Sequence, residues 1–248
     1  MAELPLVLLH AYPLDARMWN PVREALAART RVVTPDQRGL GRTPLPATDR
    51  EPSLDDAAVD VVAMLDKLGL DRVVLGGCSM GGYVTMAVLR RAPERVGGLV
   101  FIDTRAAADT EQARAERLAV ADRAESEGIA GWLADDMLPK LLSEHARSAR
   151  PELVATVREL IESQRPSGVA WALRAMAARP DSTEALRAAD VPALVIVGEQ
   201  DSLTPPELAG DLADALPRSR LVVIPGAGHL TPMEAPERVG EAVLDWLA

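Results

Sequence analysis

The chain has 248 residues, 48% of them apolar, and a formal net charge of −10. That length and apolar content fit one large α/β domain, or a domain with an insertion, and exclude a disordered chain, while the acidic balance argues against nucleic acid or an anionic membrane as partner. One cysteine permits no intrachain disulfide, and no run approaches the length of a transmembrane helix. The start, MAELPLVLLHAY, lacks a basic n-region and its apolar run is too short for a signal sequence. The expectation is a soluble cytoplasmic protein. Arginine outnumbers lysine 25 to 2, which fits genome composition better than function.

Six short β-rich runs are predicted in chain order at Leu4–His10, Arg31–Asp36, Arg72–Gly76, Gly97–Asp103, Ala193–Gly198 and Arg220–Ile224. Most are unbroken Val/Leu/Ile stretches, the mark of parallel strands buried on both faces. Helical patterns lie between them at Met18–Ala28, Leu54–Leu68, Met80–Arg91, Glu207–Ala215 and Pro236–Leu247. This alternation predicts a doubly wound α/β sheet. Residues 104–188 break it. They contain no convincing strand and read as amphipathic helices at Thr110–Glu127, Ile129–Met137, Pro151–Glu162 and Ser167–Ala178. The predicted organisation is therefore a core of residues 1–103 and 189–248, with a helical insertion at 104–188.

The stretch GGCSMGG, residues 76–82, sets Ser79 among four glycines at the end of the third strand and the start of a helix. A phosphate-cradling loop is excluded by the missing Gly-Lys-Ser/Thr ending, and no dinucleotide fingerprint is present. G-x-S-x-G in a strand–turn–helix context is a nucleophile elbow, whose flanking positions must be tiny because strand and helix pass close together. An ordinary glycine-rich βα turn is the bland reading. Cys78 reads as a small buried residue.

A serine hydroxyl needs a base. Of the three histidines, His10 ends the first strand and His145 lies in the insertion. Only His229, after the last strand, has the chain order Ser, then acid, then His. For the acid, Asp201 follows the fifth strand, and Asp103, after the fourth, is its rival. Thr204-Pro205-Pro206-Glu207 reads as a capping box with proline at N1. The box leaves Asp201 free to orient an imidazole, and Thr231-Pro232-Met233-Glu234 repeats the pattern after His229. The Met80 N–H, directly after the serine, offers one donor to a developing oxyanion.

With the loop HAYP at residues 10–13, the turn PDQRGLGRT at 35–43, the elbow, the acid loop and the histidine loop all in order, the chain resembles the α/β-hydrolases along nearly its whole length. Within them it is most similar to small bacterial carboxylesterases and 3-oxoadipate enol-lactonase-like members. The resemblance implies an oxyanion hole formed by the N–H groups of Tyr12 and Met80. It also implies a six-stranded, mostly parallel sheet, since two strands that the family usually places first have no counterpart here. Ala11 stands where the family usually has glycine, so a glycine-only backbone conformation is unavailable there.

The expected function is hydrolysis of small carboxylic esters or lactones through an acyl-enzyme, with Ser79, His229 and Asp201 as triad and no metal or cofactor. A cofactor-free perhydrolase or haloperoxidase and a C–C bond hydrolase use the same triad and stay open. A non-catalytic hydrolase-fold protein that binds a ligand or partner is the rival from another class. The insertion, emerging at the same sheet edge as the elbow, is expected to act as a lid over Ser79. Trp132, Met137, Leu138, Trp171 and Met176 are its candidate pocket residues, with the indoles shortening the acyl pocket. Arg174 reads as a solvated helix face, with contact to an anionic substrate as the alternative.

Overall fold

The computed structural model describes residues 4–248; the first three residues of the N-terminal stretch, and of the predicted core, lie outside the described residues. The strands are β1 (Leu6–Leu9), β2 (Val32–Val33), β3 (Val73–Cys78), β4 (Val96–Ile102), β5 (Ala193–Gly198) and β6 (Ser219–Ile224). They form one sheet in the order β2-β1-β3-β4-β5-β6, and every pairing is parallel. β1, β3, β4 and β5 are buried along their whole length, as their unbroken apolar runs require.

Two strands differ from the sequence reading. β2 pairs over two residues only, because the chain leaves the sheet at Thr34, where the Asp36 and Gln37 segment turns to bond neighbouring loops. β6 is the edge strand, and Leu221 and Val223 are exposed on it.

The helices α1 (Asn20–Ala27), α2 (Leu54–Lys67) and α3 (Met80–Arg91) follow the first three strands. A short 3₁₀ turn at Ala16–Trp19, capped by Asp15, takes the first part of the helix expected from Met18. Between β4 and β5 come α4 (Glu111–Glu127), α5 (Leu133–Leu141), α6 (Glu144–Ala149), α7 (Pro151–Glu162), α8 (Pro166–Ala177) and α9 (Thr183–Arg187). The chain ends with α10 (Pro206–Ala215), α11 (Thr231–Glu234) and α12 (Pro236–Leu247). α1 packs with α12, α2 with α3, and α9 with both α3 and α10. α4 is not the strongly amphipathic helix the sequence suggests: it fully buries only Ala121 and Ala124, with Leu118 and Val120 half-buried and most other positions polar or exposed.

The strand order reverses about β1 and β3. β1 hands the chain outward to β2, and β3 returns on its other side. The crevice at the carboxyl ends of β1 and β3 is thus a topological switch point, where open α/β sheets place their ligands. Ser79 follows β3 directly, and Tyr12 lies in the loop just after β1.

Bonds from the helical segment reach the core at several points. The Gln164 side chain accepts from the Gly41 N–H and donates to Asp15, and Arg17 donates to Ser163. Gly168 lies so close to Gly39 that a Cβ on it would strike the Gly39 carbonyl. No helix among the described residues is long and apolar enough to cross a membrane.

Candidate active site

Ser79 sits at the junction of β3 and α3 with φ +53° and ψ −114°, one of two non-glycine residues with positive φ among the described residues. The flanking glycines have a different job, because none of them needs positive φ. A Cβ on Gly77 would run into the Gly81 backbone, and one on Gly81 into the Leu9 carbonyl. A Cβ on Gly82 would lie 2.6 Å from the Thr104 side chain. Space, rather than conformational freedom, explains why the chain gathers glycines here. The strained backbone belongs to the serine.

The His229 Nε2 lies 2.8 Å from Ser79 Oγ, and its Nδ1 lies 2.8 Å from Asp201 Oδ2. With the hydroxyl donating to Nε2, the proton of the neutral ring sits on Nδ1 and points at Asp201. His229 and Asp201 are both buried. Asp201 Oδ1 accepts the N–H groups of Leu203 and Thr204, and Oδ2 accepts the Thr204 hydroxyl as well as His229. Burial alone would raise the Asp201 carboxyl; the His229 ring and these donors outweigh it and hold it below the usual carboxylate range. Burial alone would lower the His229 ring, and Asp201 overrides it, leaving the ring above its ordinary value. An imidazole so placed can take a hydroxyl proton, and a carboxylate so placed can hold it in the right tautomer.

Thr204 overturns one step of the sequence reading. It does not cap α10, whose N-cap is Pro205 with no side-chain bond, because the helix starts one residue late and the Thr204 hydroxyl is taken by Asp201. The second capping box fails in the same way. Thr231 lies inside α11, and its hydroxyl donates to Asp103 Oδ2 at 2.7 Å. Glu234 instead accepts the Gly228 N–H, the Ser143 N–H and the Ser143 hydroxyl, tying the His229 loop to the helical segment.

Asp103 does not bond the His229 ring. It is buried at φ +48° and accepts from Gly198 N–H and from the Thr231 N–H and hydroxyl. Burial and the nearby Asp201 push its carboxyl up to about 8. The Cys78 thiol, 3.9 Å from Asp103 Oδ2, is buried and pushed up by that burial, so it carries no reactive thiolate.

Met80 is the first residue of α3, where an N–H has no acceptor within the helix. Tyr12 follows the end of β1, and Ala11 is buried beside it without positive φ, so the loop does not need the missing glycine. A histidine fixes this loop. His10 Nε2 accepts the Gln37 N–H at 2.9 Å, and its Nδ1 lies 3.0 Å from the Ala11 carbonyl, to which it donates. Burial lowers the His10 ring and keeps it neutral. His145 is exposed on α6.

A cavity of about 290 Å³ opens over Ser79 and His229, near the low end of the roughly 300–1,000 Å³ typical of ligand pockets. Its apolar wall comes from Met137 and Leu141 of α5, Leu173 and Met176 of α8, and Val120 of α4. Met137 and Met176 are part of this lining. Trp132, Leu138 and Trp171 are not part of the lining. Along α8, Leu173 and Met176 share one face and Trp171 points away, buried near Arg38; along α5, Leu138 lies about 100° round from Met137. The Trp132 indole donates to the Gly128 carbonyl under Arg123. Arg174 pairs with Asp122 and Glu125 of α4 and does not face the cavity.

The lining also includes residues the sequence reading missed: Tyr83, Arg105, Arg117, Lys140 and Thr204. The signal for Arg117 was its spacing. Ala113, Glu116, Arg117 and Val120 share one face of α4 at i, i+3, i+4 and i+7. A larger groove of about 600 Å³ between residues 35–46 and α2 holds no comparable nucleophile and base. No group of three His, Cys, Asp or Glu side chains suited to a metal exists among the described residues.

The parallel sheet, the elbow and the hydrogen-bonded Ser, His and Asp define a hydrolase-type architecture, and comparison with known proteins agrees. The family model for the alpha/beta hydrolase fold matches residues 5–236. The chain belongs to that family and is a hydrolase. It is similar to a thermophilic esterase from Thermogutta terrifontis, solved with malate bound, at 43% identity and a TM-score of 0.94, covering 98% of this chain and 89% of that one. It is also similar to the enol-lactonase from Burkholderia xenovorans LB400, at 28% identity and a TM-score of 0.90, covering 99% and 91%. Among curated relatives, the dihydrolipoyllysine-residue acetyltransferase component of the acetoin cleaving system of Pseudomonas putida is 30% identical over 98% of this chain, which spans 63% of that protein's length.

Proposed function

We propose that the protein hydrolyses small carboxylic esters or lactones through an acyl-enzyme on Ser79. The observation that carries this reading is the unbroken chain of two 2.8 Å hydrogen bonds from Ser79 through His229 to Asp201. Ser79 Oγ attacks the substrate carbonyl as His229 Nε2 takes its proton. Asp201 holds the ring and balances the charge of the imidazolium. The N–H groups of Tyr12 and Met80 receive the oxyanion, with the N-terminal end of α3 adding its favourable field. Collapse expels the alcohol, which takes the proton from His229, and water repeats the sequence to release the acid.

The esterase and lactonase activities named for the two solved relatives fit this reading. We assign residues 104–188 the role of a lid, because Val120, Met137, Leu141, Leu173 and Met176 wall the cavity above Ser79. So small a cavity favours acyl chains of about C2 to C6. A panel of short esters and lactones tests the assignment. Turnover should fall by roughly 10⁴–10⁶ in Ser79→Ala; a variant keeping more than about a tenth of the activity on every substrate contradicts it.

A further inference from the structure

Asp109 is shared by three arginines. Its Oδ1 accepts from Arg105 at 2.6 Å and from Arg179 at 2.9 Å, and its Oδ2 accepts from Arg117 at 2.7 Å. The carboxylate is 1% exposed. Every other arginine ion pair among the described residues joins one guanidinium to one or two carboxylates, as Arg174 does with Asp122 and Glu125. Here the ratio is inverted. One buried carboxylate faces three cations, and the Nε groups of Arg105 and Arg179 find no acceptor.

This excess charge faces the cavity over Ser79. Arg105, Arg117 and Lys140 line it, against a single carboxylate, Glu116, which already accepts from Gln112. Arg179 and Asp109 cancel behind the wall. The lining therefore carries three positive charges and one negative in a chain whose net charge is −10. Structural pairing does not require such an imbalance: three guanidinium groups sharing one carboxylate are only partly compensated, and a second anion would complete them. Arg105 and Arg117 keep about a quarter of their side-chain surface exposed, so a ligand can reach them.

Building on the ester or lactone reading above, we infer that the substrate carries a second, ionised carboxylate, bound by Arg117 and Arg105 with Lys140 at the cavity mouth. The carboxylate completes a charge pattern that Asp109 leaves open, and it fixes the scissile carbonyl over Ser79. Burial pushes the Tyr12 phenol well up and, against burial, Asp201 raises the His229 ring; the Arg117 charge offsets part of each. A substrate anion would neutralise that charge. Hemiesters of short dicarboxylic acids and lactones bearing a carboxylate are the fitting classes.

Two matched pairs of probes test this. Monoethyl glutarate against diethyl glutarate places the charge on the acyl side, and 4-acetoxybutanoate against its ethyl ester places it on the alcohol side. The wild type should favour the anionic member of at least one pair by roughly tenfold or more in kcat/KM, the scale of a charge-assisted contact. That ratio should collapse toward one in Arg117→Gln and shrink in Lys140→Gln, an exposed change that threatens no fold. A wild-type ratio at or below one in both pairs overturns the inference, as does a ratio that neither variant alters. Failure of the underlying reading looks different: no probe of either charge is turned over and Ser79 takes no fluorophosphonate, and the inference falls with it.

Discussion

The Thr204 hydroxyl donates to Asp201 Oδ2 at 2.7 Å, on the same carboxylate oxygen that faces His229. Replacing it with valine keeps the shape and removes a donor to a buried carboxylate, a contact worth about 1.5–3 kcal/mol. Thr204→Val should lower kcat by roughly ten- to a hundredfold and shift the pH profile of kcat. A helix cap would behave otherwise, losing about 1 kcal/mol of stability with kcat unchanged. Thermal unfolding and kinetics on the one variant separate the two roles.

His229 must be neutral to act as base, and Asp201 holds its ring above the ordinary 6.5. The kcat/KM should therefore rise with pH through a midpoint above about 6.5. Asp201→Asn removes the carboxylate that raises the ring, so the midpoint should move down while the plateau falls roughly 10⁴-fold. Asp103→Asn should cost far less. A rate flat from about pH 5 to 8 counts against histidine as the base.

Asp103 gives a stability signature of its own. Its carboxyl is raised to about 8 in the folded protein, from an ordinary 3.8. Below that ordinary value both folded and unfolded states hold the proton and nothing is lost. As pH rises toward 8 the unfolded chain ionises first, so the folded state loses about 1.4 kcal/mol per pH unit from this group. Asparagine does not titrate. The stability of wild type relative to Asp103→Asn should fall steadily between pH 4 and 8, measured by denaturant unfolding. A difference independent of pH would show that Asp103 is ionised throughout.

Chain-length preference should follow Met137 rather than the indoles. Met137→Ala should extend turnover of p-nitrophenyl esters to longer acyl chains. Trp171→Ala should leave that profile in place and cost about 3–5 kcal/mol, as for a large buried aromatic, because Trp171 is only 7% exposed and outside the cavity lining. Trp132→Ala, half-buried, should cost less. A profile moved by Trp171→Ala alone would reverse the assignment of the wall.

The sheet was legible because β1, β3, β4 and β5 are unbroken apolar runs, and a run buried on both faces has few other ways to fold. The elbow was legible because close approach at Gly77 and Gly81 excludes any other residue. β2 was overread, since Val32 and Val33 pair while Thr34 to Asp36 do not, and no local pattern marks where a strand leaves the sheet. Thr204 and Thr231 were read as caps because the four-residue motif is local, whereas the carboxylates that take their hydroxyls are set by tertiary packing. The orientation of α5 and α8 likewise depends on what they pack against, so Trp171 and Met176 could not be told apart as wall and filler. Arg117 on α4 and Arg105 in the loop after β4 each look like a solvated charge in the sequence until the fold brings them, with Arg179, round Asp109.

Labelling with a fluorophosphonate, read by intact mass and peptide mapping, tests the central claim most directly. One adduct per chain is expected, on Ser79, absent in Ser79→Ala and strongly slowed in His229→Ala. No adduct on the folded protein, or an adduct on another residue with hydrolysis undiminished in Ser79→Ala, would contradict it.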